Sequence, residues 1–250
     1  MPAWLRFWQQ WGVRTVRLAW GLAHDGQDWV LVGVFRQGTG GLRVQACVSL
    51  RPPAGVPRVD ASWLSQALMD APRQKSMSRP RLTMGLLAQD LVSGQLNCPA
   101  QLPQEAWPAE VQLEVAQALN LPADAVNFDF EAEPPGGSEV RQLQWVGCTR
   151  ALVEDYQQWI RAAHGWQLSC VEPEVDAARR AAQALVGGLP SVLQQAPQDW
   201  QFRMGFESTS DDLDDEGMAD VRWSGLLQDA LASPAGPRLV AAGLALKAWT

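Results

Sequence analysis

Glu172 and Glu174 flank Pro173 in the stretch "SCVEPEVD". Carboxylates two apart on an extended strand point to one side, and such a pair serves acid/base chemistry when its surroundings drive the two pKa values apart. Nothing in the adjoining sequence separates them, so the expectation is a place at the entry to a loop. The acidic run "DDLDDEG" at 211–217 imitates a calcium loop if begun at Asp212, with acids at its first, third and fifth positions and Gly217 at the sixth. Its twelfth position is Trp223, where calcium needs a bidentate glutamate, so a flexible acidic loop is expected instead. The serines in "SVLQQ" and "WSGLL" lack a nucleophile-elbow frame or a nearby histidine, which argues against a hydrolase triad. Neither Lys75 nor Lys247 ends a phosphate loop, and "GTGGLR" fails the dinucleotide fingerprint at its last glycine.

Metal and redox chemistry find as little support. Cys47, Cys98, Cys148 and Cys170 lie far apart with no CxxC pair, and His24 and His164 have no companion at ligand spacing. Buried free thiols in a reducing compartment explain the cysteines, and His164, ahead of Gly165, suits a helix end. A net charge of −7, with two lysines and eighteen arginines that are scattered rather than grouped, argues against a basic groove of the kind nucleic acid needs and leaves room for no more than a local basic patch. The longest apolar runs, "WVLVGVF" and "LVAAGLAL", are too short to span a bilayer, and with no positively charged start leading into an apolar stretch a cytoplasmic protein is expected. The opening "WLRFWQQWGVR" sets Trp4, Phe7, Trp8 and Trp11 at helical spacing with Arg6 and Arg14 nearby. That pattern fits either an interfacial helix or a first element packing its aromatics on the domain.

Positioning these residues falls to alternating strands and helices. Residues 13–20, 29–35 and 42–50 read as a meander, the last two joined through "RQGTGG". Asp60 or Ser62 can cap a helix carrying Trp63, Leu64, Ala67 and Leu68. A strand pair follows in "RLTMGLLAQDLVSGQLNCP", then a helix with Trp107, Val111, Val115 and Leu119 on one face. Pro122 is expected to end that helix. "AVNFDFEAE" and "VRQLQWVGCT" read as strands about the turn "PPGGS", with Asp129 turned outward if Phe128 and Phe130 face the core. Leu152, Tyr156, Ile160 and Ala163 stripe the next helix. After the strand "WQLSCV", Val175, Ala178, Ala182 and Leu185 stripe another. A strand-helix-strand-strand-helix block thus interrupts a meander and its returning strand and helix.

This order and its motifs resemble the actin-like PilM family of type IV pilus assembly proteins, related to FtsA and to the cytoplasmic part of the type II secretion L protein. The resemblance runs through about residues 80–186. "LPQEAWPAEVQLEVAQALNLPADAVNFDF" looks like the family's helix, proline and acid-bearing strand. "VGCTRALVEDYQQWIRAAHGWQLSCVEPEVDAARR" is similar to its strand, "VEDY"-type helix, and return strand closing in "VEP" before an alanine-rich helix. "VAAGLALKA" resembles its final helix.

The resemblance implies an α/β, actin-like (ribonuclease H-like) core with an inserted small α/β subdomain, the second nucleotide-binding half being largely missing. The core would comprise 1–78 and 171–250, with 187–236 an irregular acidic segment, and the insert 79–170. Where the family has "GIDIGSSSVK", residues 21–30 here are "GLAHDGQDWV". Gly21 and Leu22 match, but Ala23 replaces the metal-side aspartate and Asp25 the second glycine. Alanine cannot hold hydrated magnesium and a carboxylate repels phosphate, so this phosphate loop is degenerate and no cofactor is expected.

Members of this family fold around an ATP cleft; the resemblance together with these departures implies a cytoplasmic adaptor without ATP hydrolysis, recruited to the inner membrane. It would hold the cytosolic N-terminal tail of a PilN-like single-span membrane protein, next to other platform proteins and with no nucleic acid. Tyr156, Trp159, Glu172 and Glu174 are the candidate tail-binding residues, from their place at the seam between core and insert. The alternatives are an actin-like ATPase with drifted motifs and a peripheral membrane protein anchored by its Trp-rich start.

Overall fold

The computed structural model describes residues 18–26, 28–37, 41–53, 62–71, 80–99, 101–132, 140–204 and 216–249. The aromatic opening segment, Asp60, the "PPGGS" turn and Asp211–Asp215 lie outside them. Two compact units result. One is Leu87–Tyr156; the other contains the described residues of Thr15–Leu86 and Gln157–Thr250.

The larger unit is built on a six-stranded sheet of order β8-β4-β1-β2-β3-β9. Its strands are β1 (Leu18–Asp25), β2 (Asp28–Gln37), β3 (Gly41–Leu50), β4 (Arg81–Leu86), β8 (Gln167–Pro173) and β9 (Gln201–Arg203). The first three form an antiparallel meander as expected, but its first strand is Leu18–Asp25 where 13–20 was expected. β4 and β8 lie parallel to β1, so three strands end at one side of the sheet. Their pairing is interrupted at Leu82/Thr83, where Ser169 is the extra residue and its hydroxyl donates to the Leu82 carbonyl at 2.9 Å.

Strand alternation gives the sheet two apolar faces. On one lie Ala23, Val30, Val32 and Val34, covered by α4 (Glu174–Ala184) and α7 (Gly236–Leu246). Residues Leu239–Leu246 are all buried, as a helix enclosed on every side requires. The other face carries Trp20, whose ring meets Trp166 edge-on at 5.4 Å and 79°. Trp166 donates from Nε1 to the carbonyl of Leu68 at 2.8 Å, tying the sheet to α1 (Ser62–Asp70).

In the smaller unit, α2 (Trp107–Leu119) packs on one face of a three-stranded antiparallel sheet, β5 (Val92–Pro99), β7 (Val140–Thr149) and β6 (Val126–Ala132), in that order. Phe128 and Phe130 join the core beneath α2, so Asp129 points to the opposite face, where its Oδ1 accepts the Phe130 amide at 2.8 Å. Val111 and Val115 are fully buried as their spacing predicts. α2 does not run to Pro122. It stops at Asn120, held left-handed at φ 53, and Pro122 opens a 3-10 turn, Ala123–Ala125. Asparagine tolerates that region and closes a helix as glycine does.

Three further expectations need correction. The "RLTMGL…NCP" strand pair belongs to two different sheets, separated by the 3-10 turn Ala88–Asp90. β4 and β8 pair with the large sheet, so the inserted unit spans Leu87–Tyr156 rather than 79–170. Residues 187–236 are not irregular throughout: they contain α5 (Pro190–Gln194), β9 and α6 (Glu216–Ala232). α3 (Arg150–Ala162) follows β7 as expected. Among the described residues, no helix is long and apolar enough to cross a membrane.

All four cysteines are free thiols. Burial raises the pKa of Cys98 and raises Cys148 to about 11, with nearby Glu110 and Asp90 respectively adding to the effect. Thiolate is the reactive species. At pH 8 the native protein should therefore leave Cys98 and Cys148 unmodified by a thiol reagent, while guanidinium chloride makes all four react, as mass spectrometry would count.

Candidate functional site

In open α/β sheets the crevice beyond the carboxyl ends of parallel strands is where ligands sit. Here β1, β4 and β8 end together, and α4 begins at Glu174 directly after β8 with no loop between. The stretch that resembles a phosphate loop forms the end of β1 and its turn into β2. Gly21, Leu22, Ala23 and Asp25 are otherwise engaged. A Cβ on Gly21 would fall 1.9 Å from the Ala241 carbonyl and 2.6 Å from the Ala245 nitrogen, so this glycine lets α7 lie directly on β1. Leu22 and Ala23 are fully buried. Asp25 is paired across the hairpin with Asp28, the turn being made by Gly26 at φ 59. Like charges opposite each other cost stability, and Arg51 offsets it with Nε 3.1 Å from Asp28 Oδ2.

The crevice is filled by a carboxylate of the chain itself. Glu174 Oε1 accepts the His24 backbone amide at 2.8 Å and lies 2.9 Å from His24 Nδ1, which carries its proton toward that oxygen. The His24 ring in turn leans on Trp29, centroids 3.8 Å apart. Glu174 lies over Gly85 of β4; a Cβ there would come within 2.4 Å of its Cγ. Both His24 and Glu174 are largely shielded, at 15% and 16% side-chain exposure.

Glu172 turns to a different partner. Arg180 grips it with two bonds, 2.6 and 2.8 Å, and donates a third to the Gly243 carbonyl at 2.9 Å. Lys247 Nζ stands 3.5 Å from the same carboxylate. The two glutamates thus do not form a loop-entry pair; one anchors α4 to α7 and the other closes the strand ends. In the same turn of α4, burial chiefly, with Glu172 adding, raises the Asp176 carboxyl above its ordinary value against the opposing charges of Arg179, Arg180 and Lys247.

Of the other two candidates, Tyr156 is 2% exposed. Trp159 is half-buried, and its carbonyl accepts a bond from Ser65 Oγ at 2.8 Å. His24 and Arg180 escaped the sequence reading. Arg180 had a visible cue, being the second of two adjacent arginines about two helical turns after an acid at a strand end. His24 had none, because its partner lies 150 residues away. Among the described residues, no group of three or more His, Cys, Asp or Glu could hold a metal.

No family model matches the sequence, and no curated protein matches it. Among solved structures, the chain is similar to the PilM–PilN type IV pilus biogenesis complex, with a TM-score of 0.53 and 16% identity over 69% of this chain and 54% of that one. It thus spans about half the length of that neighbour. A looser similarity, TM-score 0.43 and 16% identity over 64% of this chain and 58% of the other, is to the cytoplasmic domain of EpsL, an inner membrane component of the type II secretion system of Vibrio cholerae. The fold is accordingly the actin-like α/β fold, as in the pilus-assembly neighbour.

Proposed function

We propose that this protein is a nucleotide-independent adaptor in a type IV pilus or related assembly platform at the inner membrane. It works from the cytoplasmic side by holding the cytosolic N-terminal tail of a PilN-like single-span membrane protein. Its association with the membrane is through that partner. The support is twofold: the fold it shares with a pilus-biogenesis protein solved as a complex with PilN, and the state of the strand-end crevice.

The second carries most weight. A triphosphate brought to the crevice would meet Asp25, Asp28 and Glu174, with Ala23 buried where a metal-side carboxylate is expected. Phosphate and carboxylate repel, the more strongly in a shielded site. Arg51 is paired with Asp28 and Arg180 with Glu172, and Glu174 already takes up the donors of His24. What the fold keeps is a rigid scaffold, suited to extended-peptide recognition in which backbone bonds give affinity and side-chain pockets give register.

The experiment is a pull-down from membranes of the source cells, followed by titration of the recovered partner's synthetic cytosolic tail into the full chain. The proposal expects saturable micromolar binding that is unchanged by Mg-ATP. A single-span partner whose tail does not bind, or binds only with nucleotide present, would overturn it.

A further inference from the structure

The small sheet is unfinished at β6. In the order β5-β7-β6, β6 has a neighbouring strand on one side only, and of the described elements only β7 and α2 pack closely against it, α2 from the face. The 3-10 turn Ala123–Ala125 leads into buried Val126 and is tied back to α2, where Gln112 Nε2 donates to the Ala123 carbonyl at 2.6 Å. Beyond it, "FDFEA" at 128–132 consists of half-buried and exposed residues. A free edge is a template for another strand, and proteins ordinarily guard it with lysine, proline or a bulge. This stretch has neither lysine nor proline. Its pairing with β7 also runs unbroken, from Val126 opposite Thr149 to Ala132 opposite Leu143.

Charge selects what fits there. Residues 87–156 hold 11 of the chain's 27 acids and 2 of its 20 lysines and arginines, a net −9, whereas the other residues hold 16 and 18, a net +2. On β6, Phe128 and Phe130 lie on the α2 side, so alternation turns Asp129 and Glu131 to the opposite face. Glu131 is exposed and makes no ion pair among the described residues. The unit's two arginines stand elsewhere. Arg141 alternates with Leu143 and Trp145 on the α2 side of β7, and Arg150 begins α3. The strand at the other margin, β5, carries no charged residue, so the electrostatic preference belongs to β6.

We propose that the outer edge of β6 receives an extended, basic segment of a partner protein as a fourth strand of the small sheet. Backbone bonds to residues 128–132 supply affinity. Lysine or arginine at alternate positions of the segment meets Asp129 and Glu131, and the apolar residues between them continue the rim made by Phe128 and Phe130. A second copy of this chain fits less well. Antiparallel pairing of β6 with itself about Phe130 puts Asp129 opposite Glu131 on both sides, and pairing about Asp129 opposes that residue to itself; like charges directly opposed are destabilising. The inference does not rest on the tail adaptor role and stands or falls independently of it.

The test uses a heptapeptide of alternating lysine and valine, compared with the same peptide carrying glutamate in place of lysine. Both are titrated into the full chain while amide hydrogen exchange is followed along β6. The lysine peptide should bind about tenfold or more tightly, lose that margin at high salt, and slow exchange at alternate amides between residues 128 and 132, those turned away from β7. Glu131→Lys, a change at an exposed site, should weaken it by about fivefold or more without altering the melting temperature. Equal affinity for the two peptides, protection confined to other parts of the chain, or no binding at millimolar peptide would overturn the proposal. Slow exchange at these amides in the peptide-free chain would also overturn it. Loss of that protection on dilution would give the edge to a second copy, and loss on removal of residues 1–14 would give it to the chain's own opening, which holds Arg6 and Arg14 and no acid.

Discussion

Gly243→Ala is expected to cost about 3 kcal/mol or more, lowering the melting temperature by roughly 6–12 °C. The methyl group would sit 1.8 Å from the Ala177 carbonyl oxygen and 2.5 Å from its carbon. Those are backbone atoms of α4, so no side chain can swing aside, and α7 would have to lift from α4. Gly225→Ala makes a sharp control. Gly225 lies within α6 with nothing inside 4 Å of an added Cβ, so there alanine should stabilise by up to about 1 kcal/mol through helix propensity. The same chemical change thus has opposite signs at two helical glycines, which thermal melts of the two variants would read directly.

The second large effect is expected at Arg180. Its guanidinium neutralises a glutamate with 7% side-chain exposure while itself only 13% exposed. Removing one partner of a buried pair strands the other charge, at a cost of about 3–5 kcal/mol. Arg180→Ala should fall at the lower end, because Lys247 remains 3.5 Å from Glu172. Pairing Glu172→Leu with Arg180→Met should recover most of the loss, since an apolar pair leaves no uncompensated charge. If the double variant is as unstable as the single one, Glu172 is not the charge that Arg180 holds in place.

Both effects act at the junction of α4 and α7, where sequence patterning was least informative. Val175 was expected on the buried stripe of α4, yet it is 50% exposed, and the buried residues are Ala177, Ala178, Ala181, Ala182 and Ala184. Apolar size misleads at this helix because it meets α7 at a distance only alanine and glycine allow. Elements whose cores are made within a few turns of chain were legible: the β1–β3 meander, the Val111/Val115 face, and the strand in which Phe128 and Phe130 bracket Asp129. Contacts that join distant residues were not. The parallel pairing of β4 with β8 left no local trace, and the insert was therefore drawn too long. Between 187 and 236, glycine, proline and the acidic run concealed α5, β9 and α6.

The same division holds at the strand-end crevice. Substitution of Ala23 and Asp25 in a phosphate-loop-like stretch could be seen in the sequence. That Glu174 closes the crevice over Gly85, and that Gly21 serves contact with α7, needed the three-dimensional arrangement. The spacing of Glu172 and Glu174 suggested a pair, but one is the last inward residue of a strand and the other the first of a helix. Two positions along the chain therefore became two unrelated environments.

Calorimetric titration of the full chain with Mg-ATP is the most direct check that an actin-like scaffold works here without nucleotide. The account predicts no heat beyond dilution up to about 1 mM, the range of the weakest measurable association. Saturable micromolar binding that disappears when magnesium is chelated would contradict it.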